Sequence, residues 1–302
     1  MVKRSIVKQG PTTLLISLPI KWVRKYDLNK GEELEVEERG KELIISTQNK
    51  QKSKIKEIKL LDSHYYYIWT EISAAYLSGF DEMKVYYNSA DDLKIIENDV
   101  LKAMMGFELI EHTSKWCILK KVVDERGEEF DVIMRRIFLG LIETSNEYLK
   151  LLKGESKGEF ILPFERTNNR QTYYLRRLVA KGEYKLLDKN IFAGALVFLL
   201  EQLMNQYKYS LWSIEKDNFP KNDKEIIKMY EKIHLKLEML YKLYFNYSKE
   251  LFQEFEMKTI KPDSRYGLML KELEKSPKLV HYLIQMVEKM RYASYQIHGI
   301  NC

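Results

Sequence analysis

The chain of 302 residues contains only two cysteines, Cys117 and Cys302. A small secreted scaffold held by disulfides needs several cysteine pairs, so this count argues against such a protein and indicates a reducing cytoplasm. Long apolar runs are also missing, because the stretch Asn190–Leu200 stops at Glu201 and a membrane span needs roughly 18 such residues. We therefore expect a cytoplasmic protein with no membrane insertion.

Motifs of common enzymes and metal sites are absent as well. The sequence contains no Gly-x-x-x-x-Gly-Lys phosphate loop, no Gly-x-Gly-x-x-Gly dinucleotide turn and no His-Glu-x-x-His. Its five histidines are scattered along the chain, and we expect none of them to bind a metal together with a cysteine. Cys117 lies in a predicted strand and is expected to be a small buried thiol rather than a nucleophile. We expect no enzymatic activity, no cofactor and no metal.

Charge, in contrast, is present and unevenly distributed. The net charge of +6 comes entirely from residues 1–56, which hold 13 basic and seven acidic residues, because residues 57–302 hold 37 of each. Within that first segment, residues 1–30 carry seven basic residues against Asp27 alone. This asymmetry indicates a polyanion-binding module attached to a neutral body, although a solvated lysine-rich face would have the same composition.

The first fifty residues read as short strands around one short helix. Turn signals at Gly10-Pro11 and Gly31 separate the elements, and Pro19 suits the first turn of a helix. A segment of this size buries too little apolar surface to fold well alone, so we expect it to pair with a second copy of itself. The predicted elements are strands at Ser5–Gln9, Thr13–Leu18, Leu34–Val36 and Leu43–Ser46 and a helix at Lys21–Tyr26.

The remaining sequence divides into two further regions. Residues 51–125 show the order β-α-β-α-β-β, with helices predicted at Ser63–Leu77 and Asp91–Met105, which indicates a small α/β unit after a polar linker at Lys50–Lys54. Residues 126–302 show the 3.6-residue periodicity of about six helices and therefore a helical bundle, with helix breaks predicted at Gly154, Gly182, Pro220, Pro262 and Pro277. We expect an α+β multidomain protein with domains 1–50, 51–125 and 126–302.

The helical region also contains an internal similarity. Residues 196–214 align without gaps with residues 279–297, an offset of 83 residues, and six of the nineteen positions are identical. Six matches among common helix residues could arise by chance, but the equal spacing of the flanking helices favours duplication of a three-helix unit.

Three segments near the amino terminus stand at a fairly specific spacing: Arg4-Ser-Ile-Val-Lys-Gln-Gly10, Thr13-Leu-Leu-Ile-Ser-Leu-Pro19 and Leu28-Asn-Lys-Gly31. The pattern to which they belong covers residues 3–47 and resembles the SpoVT-AbrB family. The resemblance implies an intertwined homodimeric β-barrel of swapped hairpins that binds double-stranded DNA. Pro11 stands where that family often has an arginine, so one usual contact is missing here.

The resemblance places DNA contacts at Arg4 before the first turn and at Arg24 and Lys25 on the short helix. Two copies would bring two such sets of charges to one face. The alternative is a domain that only dimerises and whose lysines are merely solvated. The predicted DNA-binding residues are Lys3, Arg4, Lys8, Lys21, Arg24 and Lys25.

The helical region, with its repeat and the segment Tyr174-Leu-Arg-Arg-Leu-Val-Ala-Lys-Gly182, is similar to the PhoU family. That resemblance implies two three-helix repeats linked to the control of phosphate uptake, and the combination of both modules resembles archaeal phosphate-uptake regulators. PhoU-like proteins often bind metal through Glu-x-x-x-Asp, but the corresponding positions here read Glu201-x-x-x-Asn205 and Ile284-x-x-x-Glu288. Each has lost one carboxylate, so no metal is expected there.

We therefore expect a homodimeric, DNA-binding transcriptional regulator linked to phosphate uptake, with a phosphate-transport or signalling protein as a further partner. The alternative is an interaction protein that dimerises through residues 1–50 and docks on a transporter ATPase or a kinase without binding DNA.

Overall fold

The computed structural model of the chain describes residues 3–39, 42–47, 54–123, 129–184, 187–217, 222–257 and 276–302. The chain divides into two compact units, Met1–Lys54 and Ile55–Cys302. Residues 50–53 of the predicted linker and the helix breaks predicted at Pro220 and Pro262 lie outside the described residues. The fold is α+β, as expected, with a small amino-terminal β unit and a helical carboxyl-terminal region.

The amino-terminal unit consists of two β-hairpins and one short helix. The first hairpin turns at Gly10, whose φ of +76° lies in the left-handed region that glycine adopts without strain. In the second hairpin the register runs from Leu34 opposite Thr47 to Arg39 opposite Glu42. The elements are β1 (Val7–Gln9), β2 (Thr13–Leu15), α1 (Ile20–Lys25), β3 (Leu34–Arg39) and β4 (Glu42–Thr47).

No side chain of this unit is buried among the residues for which burial is described. Large apolar side chains stand in solvent instead, among them Leu14 at 65% and Leu43 at 60% exposure. Among the described residues of this unit, the strands pair only within each hairpin, as two separate antiparallel sheets. The predicted barrel is therefore not seen in one chain, and it stays a prediction for a pair of chains.

The second unit begins with an α/β segment whose four-stranded sheet has the order β5-β6-β8-β7. Strands β5 and β6 are parallel and the other neighbours are antiparallel, with an irregularity between Leu109 and Glu111. The predicted element order is confirmed. The elements are β5 (Ile55–Lys59), α2 (Tyr65–Leu77), β6 (Glu82–Tyr86), α3 (Ala90–Ile95, continued by a π turn at Ile96–Val100 and a 3₁₀ turn at Leu101–Ala103), β7 (Phe107–His112) and β8 (Trp116–Lys121).

The core of this segment lies between the sheet and helices α2 and α3, and its members include Ile72, Val85 and Cys117. Cys117 is fully buried, and this burial, followed by the charge of Glu97, raises the pKa of its thiol to about 12. The expectation of a small buried thiol is confirmed.

The helical region packs its apolar stripes into one large core. Helices α4 and α5 both end at left-handed glycines, Gly154 and Gly182, and the last helix begins with Pro277 in its first turn, as the sequence indicates. The described helices are α4 (Phe130–Lys153), α5 (Ile161–Lys181), α6 (Asn190–Asp217), α7 (Lys224–Phe245), α8 (Lys249–Met257) and α9 (Pro277–Asn301).

Arg177 on α5 joins the helical region to the α/β segment. Its guanidinium is fully buried and donates to the carbonyl oxygens of Tyr76 and Phe80, at 2.6 and 2.7 Å, and to Asp81 Oδ1 at 2.7 Å. It also lies 4.9 and 5.0 Å from the ring centroids of Tyr76 and Phe107. The structure thus places residues 55–302 in one unit, and the finer division at residue 125 stays a prediction.

A search of the described helices for a stretch that is both long and apolar enough to cross a bilayer finds none.

Candidate nucleic-acid interface

Helix α1 carries three of the predicted DNA-binding residues. Pro19 precedes it in an extended conformation, and the backbone N–H groups of Trp22 and Val23 donate to the Pro19 carbonyl, which starts the helix. The first turn contains no acidic residue, whereas Arg24 and Lys25 occupy the last turn. Cations at this end interact favourably with the partial negative charge of the helix carboxyl terminus.

Lys21, Arg24 and Lys25 share one face of α1 because residues three and four positions apart are neighbours on a helix. All three are exposed, and the Lys25 ammonium lies 5.0 Å from the centroid of the Tyr26 ring. The other face of the helix is half-buried through Trp22 and Val23. The sequence therefore gives α1 one packed face and one cationic face.

The remaining predicted residues belong to the first hairpin. Lys8 is the central residue of β1 and pairs with Leu14 of β2, while Lys3 and Arg4 precede the strand. All three are exposed. Thus the structure groups the predicted residues in two sets, one along the start of the chain and one on α1.

None of these six cations forms an ion pair with a carboxylate anywhere in the described part of the chain. Of the nearby acidic residues, Glu32 instead accepts a hydrogen bond from the Asn29 amide at 3.2 Å, and Glu35 is exposed on β3. Cations without carboxylate partners keep their charge available to phosphates, which take part in most protein–DNA hydrogen bonds.

The PhoU-type metal positions contain partnered side chains instead of convergent carboxylates. Glu201 accepts a hydrogen bond from Arg176 at 2.9 Å, and its pKa is raised by burial although Arg176 opposes the shift. Ile284 packs against the core of the bundle, and Glu288 lies 4.0 Å from Arg291. Within the described residues, no group of three or more histidine, cysteine or acidic side chains could hold a metal ion.

Sequence reasoning missed a second polar feature, a cavity at one end of the helical bundle that Asp131 and Arg135 help to line. The only sequence signal is an acid and an arginine four positions apart on one helix. This pattern is common on solvated helix faces, so it could not identify the cavity.

Comparison with known proteins gives one match. Residues 7–54 match the family described as antidote-toxin recognition MazE, bacterial antitoxin. This match covers nearly the same residues as the SpoVT-AbrB resemblance and confirms an amino-terminal domain of the MazE/AbrB type. No curated protein and no solved structure matches the chain.

Proposed function

We propose that the protein is a DNA-binding transcriptional regulator that acts as a homodimer through residues 1–50. The observation that carries this proposal is the cationic face of α1, which is exposed and has no carboxylate partner among the described residues. A domain of the MazE/AbrB type supports it, because such domains typically bind DNA and dimerise.

The apolar surface of the same unit supports the proposed dimer. Leu14, Ile16, Val36 and Leu43 are each more than half exposed, although they lie in or beside strands. Burying one such side chain is worth about 1.5–3 kcal/mol, so a second copy that covers them would stabilise the unit strongly. Pairing would also double the number of cations available to one duplex.

The test is a titration of labelled duplex DNA with the full chain at several salt concentrations. If two copies neutralise about six to eight phosphates, the log–log slope of affinity against salt should lie near −5 to −7. We expect the triple variant Lys21→Gln, Arg24→Gln, Lys25→Gln to bind much more weakly and with a shallower slope.

The matched control is Lys59→Gln, Lys102→Gln, Lys115→Gln, which removes the same charge from exposed positions of the α/β segment. This control should bind DNA like the unmodified protein. Equal losses in both triple variants, or binding that does not depend on salt, would contradict the proposal.

We further propose that the regulator is linked to phosphate uptake through its helical region. Support comes from the PhoU resemblance and from the 83-residue internal similarity, whose two copies fall within α6 and α9, long helices of the same core. In a strain lacking the gene, transcripts for phosphate transport should then respond abnormally to phosphate limitation. A normal response of these transcripts would contradict the link to phosphate uptake and would leave the DNA-binding proposal standing.

The alternative function is an interaction protein that dimerises through the amino-terminal unit and docks on a transporter ATPase or a kinase. The description of the matched family supports this alternative, because that description names the recognition of a toxin, which is a protein partner. A version of the chain without residues 1–50 separates the two functions. Loss of DNA binding on this deletion supports the regulator, and absence of DNA binding by the full chain supports the interaction protein.

A further inference from the structure

A cavity of about 520 Å³ lies at one end of the helical bundle, where α4 begins and α7 and α9 end. Its volume falls in the range of small-molecule sites, which is roughly 300–1,000 Å³. The polar side chains on its wall include Arg135 and Asp131, one helical turn apart on α4. Tyr184, Tyr244 and Phe245 supply aromatic surface.

Arg135 is fixed in orientation but keeps most of its hydrogen-bonding capacity. Its guanidinium carbon lies 4.4 Å from the centroid of the Phe245 ring, and Nη1 donates to the hydroxyl of Tyr241 at 2.9 Å. In the part of the chain that the structure describes, it has no carboxylate partner. A planar guanidinium held against a ring in this way suits bidentate binding of a carboxylate from a guest molecule.

Asp131 is also held in place. The Tyr244 hydroxyl hydrogen-bonds to it, and burial, followed by the charge of Asp131, raises the pKa of Tyr244. Burial raises the pKa of Tyr184 to about 12, again with Asp131 as the second cause. Both phenols are therefore neutral at physiological pH, and the carboxylate is the negative group on this wall.

The helix ends add partial charges of both signs. The start of α4 contributes partial positive charge beside Arg135, whereas the last turns of α7 and α9 contribute partial negative charge on the opposite side. A guest with only a negative charge would be repelled by Asp131 and by these carbonyl groups. A guest with only a positive charge would be repelled by Arg135. A guest with both charges close together satisfies both sides.

We propose that this cavity binds an α-amino acid with a large aromatic or aliphatic side chain. Its carboxylate binds Arg135, its ammonium group binds Asp131, and its side chain packs against Tyr184, Phe245 and Ile300. This site lies wholly within residues 55–302, so the proposal does not depend on whether the amino-terminal unit binds DNA.

The first experiment is isothermal titration calorimetry of the full chain with tryptophan, phenylalanine, leucine and glycine. We expect at least one of the three large amino acids to bind with one site per chain, and glycine to bind more weakly because it leaves the aromatic wall uncovered. Tryptamine and indole-3-propionate each lack one charged group of tryptophan. Each should bind about tenfold to a hundredfold more weakly than the preferred amino acid, because one charge-assisted bond is lost.

The second experiment compares neighbouring arginines on α4. Arg135→Gln should weaken binding by about tenfold to a hundredfold, and Asp131→Asn should weaken it as well. Arg136→Gln removes the same charge from an exposed neighbour that does not line the cavity, and it should bind like the unmodified protein. Circular dichroism melts check that each variant is folded. Arg135→Lys keeps the positive charge but loses the planar guanidinium that binds a carboxylate bidentately, so it should bind with intermediate affinity.

Three results would each overturn the proposal. The first is that no member of the panel binds at millimolar concentration. The second is that Arg135→Gln and Arg136→Gln bind equally well. The third is that tryptamine or indole-3-propionate binds as tightly as the preferred amino acid, which would mean that the site does not recognise a zwitterion.

Discussion

The two units of the chain differ in whether they bury their apolar side chains. Residues 55–302 enclose two hydrophobic cores in which Ile72, Phe138 and Leu200 are completely buried. The amino-terminal unit, by contrast, leaves Leu14, Val36 and Leu43 more than half exposed. The larger unit therefore buries its apolar surface within one chain, whereas the smaller one leaves apolar surface uncovered, which is the surface that the proposed dimer would bury.

The units also differ in charge. The excess positive charge of the chain lies in residues 1–56, and the rest of the chain is neutral. In the larger unit many cations are used internally, as Arg177 is with Asp81 and Arg176 is with Glu201. The cations of α1 have no such carboxylate partners in the described residues. One unit therefore uses cations to hold itself together, and the other leaves the cations of α1 exposed.

The largest effect is expected from Arg177→Ala. The substitution removes the guanidinium donor from the Tyr76 and Phe80 carbonyls and from Asp81, and it opens a cavity between α5 and the α/β segment. Breaking a buried pair of this kind costs about 3–5 kcal/mol in the free energy of unfolding. Urea denaturation followed by circular dichroism should show this loss for residues 55–302, while salt-dependent DNA binding by the amino-terminal unit persists.

Arg136→Ala is the matched control, because Arg136 is exposed on α4. It should change the free energy of unfolding by about 0.5 kcal/mol or less. If Arg177→Ala weakened DNA binding and unit stability together, the two units would not be independent and the comparison would fail.

A second test adds charge to the uncovered face of the amino-terminal unit. Val36 and Leu43 lie on the same face of the second hairpin, because Val36 is opposite Ile45 and Glu38 is opposite Leu43. The double variant Val36→Lys, Leu43→Lys should weaken dimerisation by about a hundredfold or more, since two apolar side chains lose their partner surface. Sedimentation equilibrium measures the change.

Leu61→Lys provides the control, since Leu61 is an apolar residue of the larger unit with 86% exposure. It should leave the association constant unchanged. Equal effects of the two changes would show that exposure alone does not identify the dimer surface.

The smallest expected change in the free energy of unfolding comes from the capping residue at the start of α3. Ser89 accepts a hydrogen bond from the backbone N–H of Asp92 at 3.2 Å, and Asp92 accepts one from the Ser89 N–H, which forms a capping box. We expect Ser89→Ala to lower the free energy of unfolding of residues 55–302 by about 1 kcal/mol. Thermal melts monitored by circular dichroism would detect it, and Ser114→Ala, a serine in the exposed β7–β8 turn, should change the melt little.

The carboxyl group of Asp92 should also make the stability of the larger unit sensitive to acid. Burial works to raise the pKa of Asp92, but hydrogen bonds from the backbone N–H of Asn88 and from Ser63 and Ser89 outweigh burial and bring the pKa below its ordinary value. Its stabilising contribution is therefore present above the unfolded pKa of about 4 and is lost as pH falls through the folded value. Asp92→Asn should flatten the dependence of unfolding on pH below 4, and an unchanged dependence would contradict this role.

Local patterns in the sequence predicted the elements well where each pattern has one structural solution. Pro277 and Gly154 marked the start of α9 and the end of α4 because their backbones permit little else there. The helix expected at Asp91–Met105 ends earlier than predicted, at Ala103, and it loosens into a π turn at Ile96–Val100. Apolar spacing does not distinguish a helix with four-residue hydrogen bonds from one with a single longer turn.

Long-range partners could not be predicted. Arg177 occupies an ordinary position in a periodic helix, and its acceptors at Tyr76 and Phe80 are about a hundred residues away in the sequence. Its complete burial depends on how α5 packs against the α/β segment. The cavity beside Arg135 was missed for the same reason, because its walls come from the ends of helices that are distant in the sequence.

The burial of Cys117 has a practical consequence for studying pairs of this chain. The thiolate is the form of cysteine that attacks alkylating reagents, and the raised pKa and full burial of Cys117 keep it as an inert thiol. Cys302 is exposed, with its Sγ 3.4 Å from Nε2 of His298. A maleimide dye therefore labels the native protein at one position at the far end of the helical region, and energy transfer between two labelled copies reports their separation without any engineered cysteine.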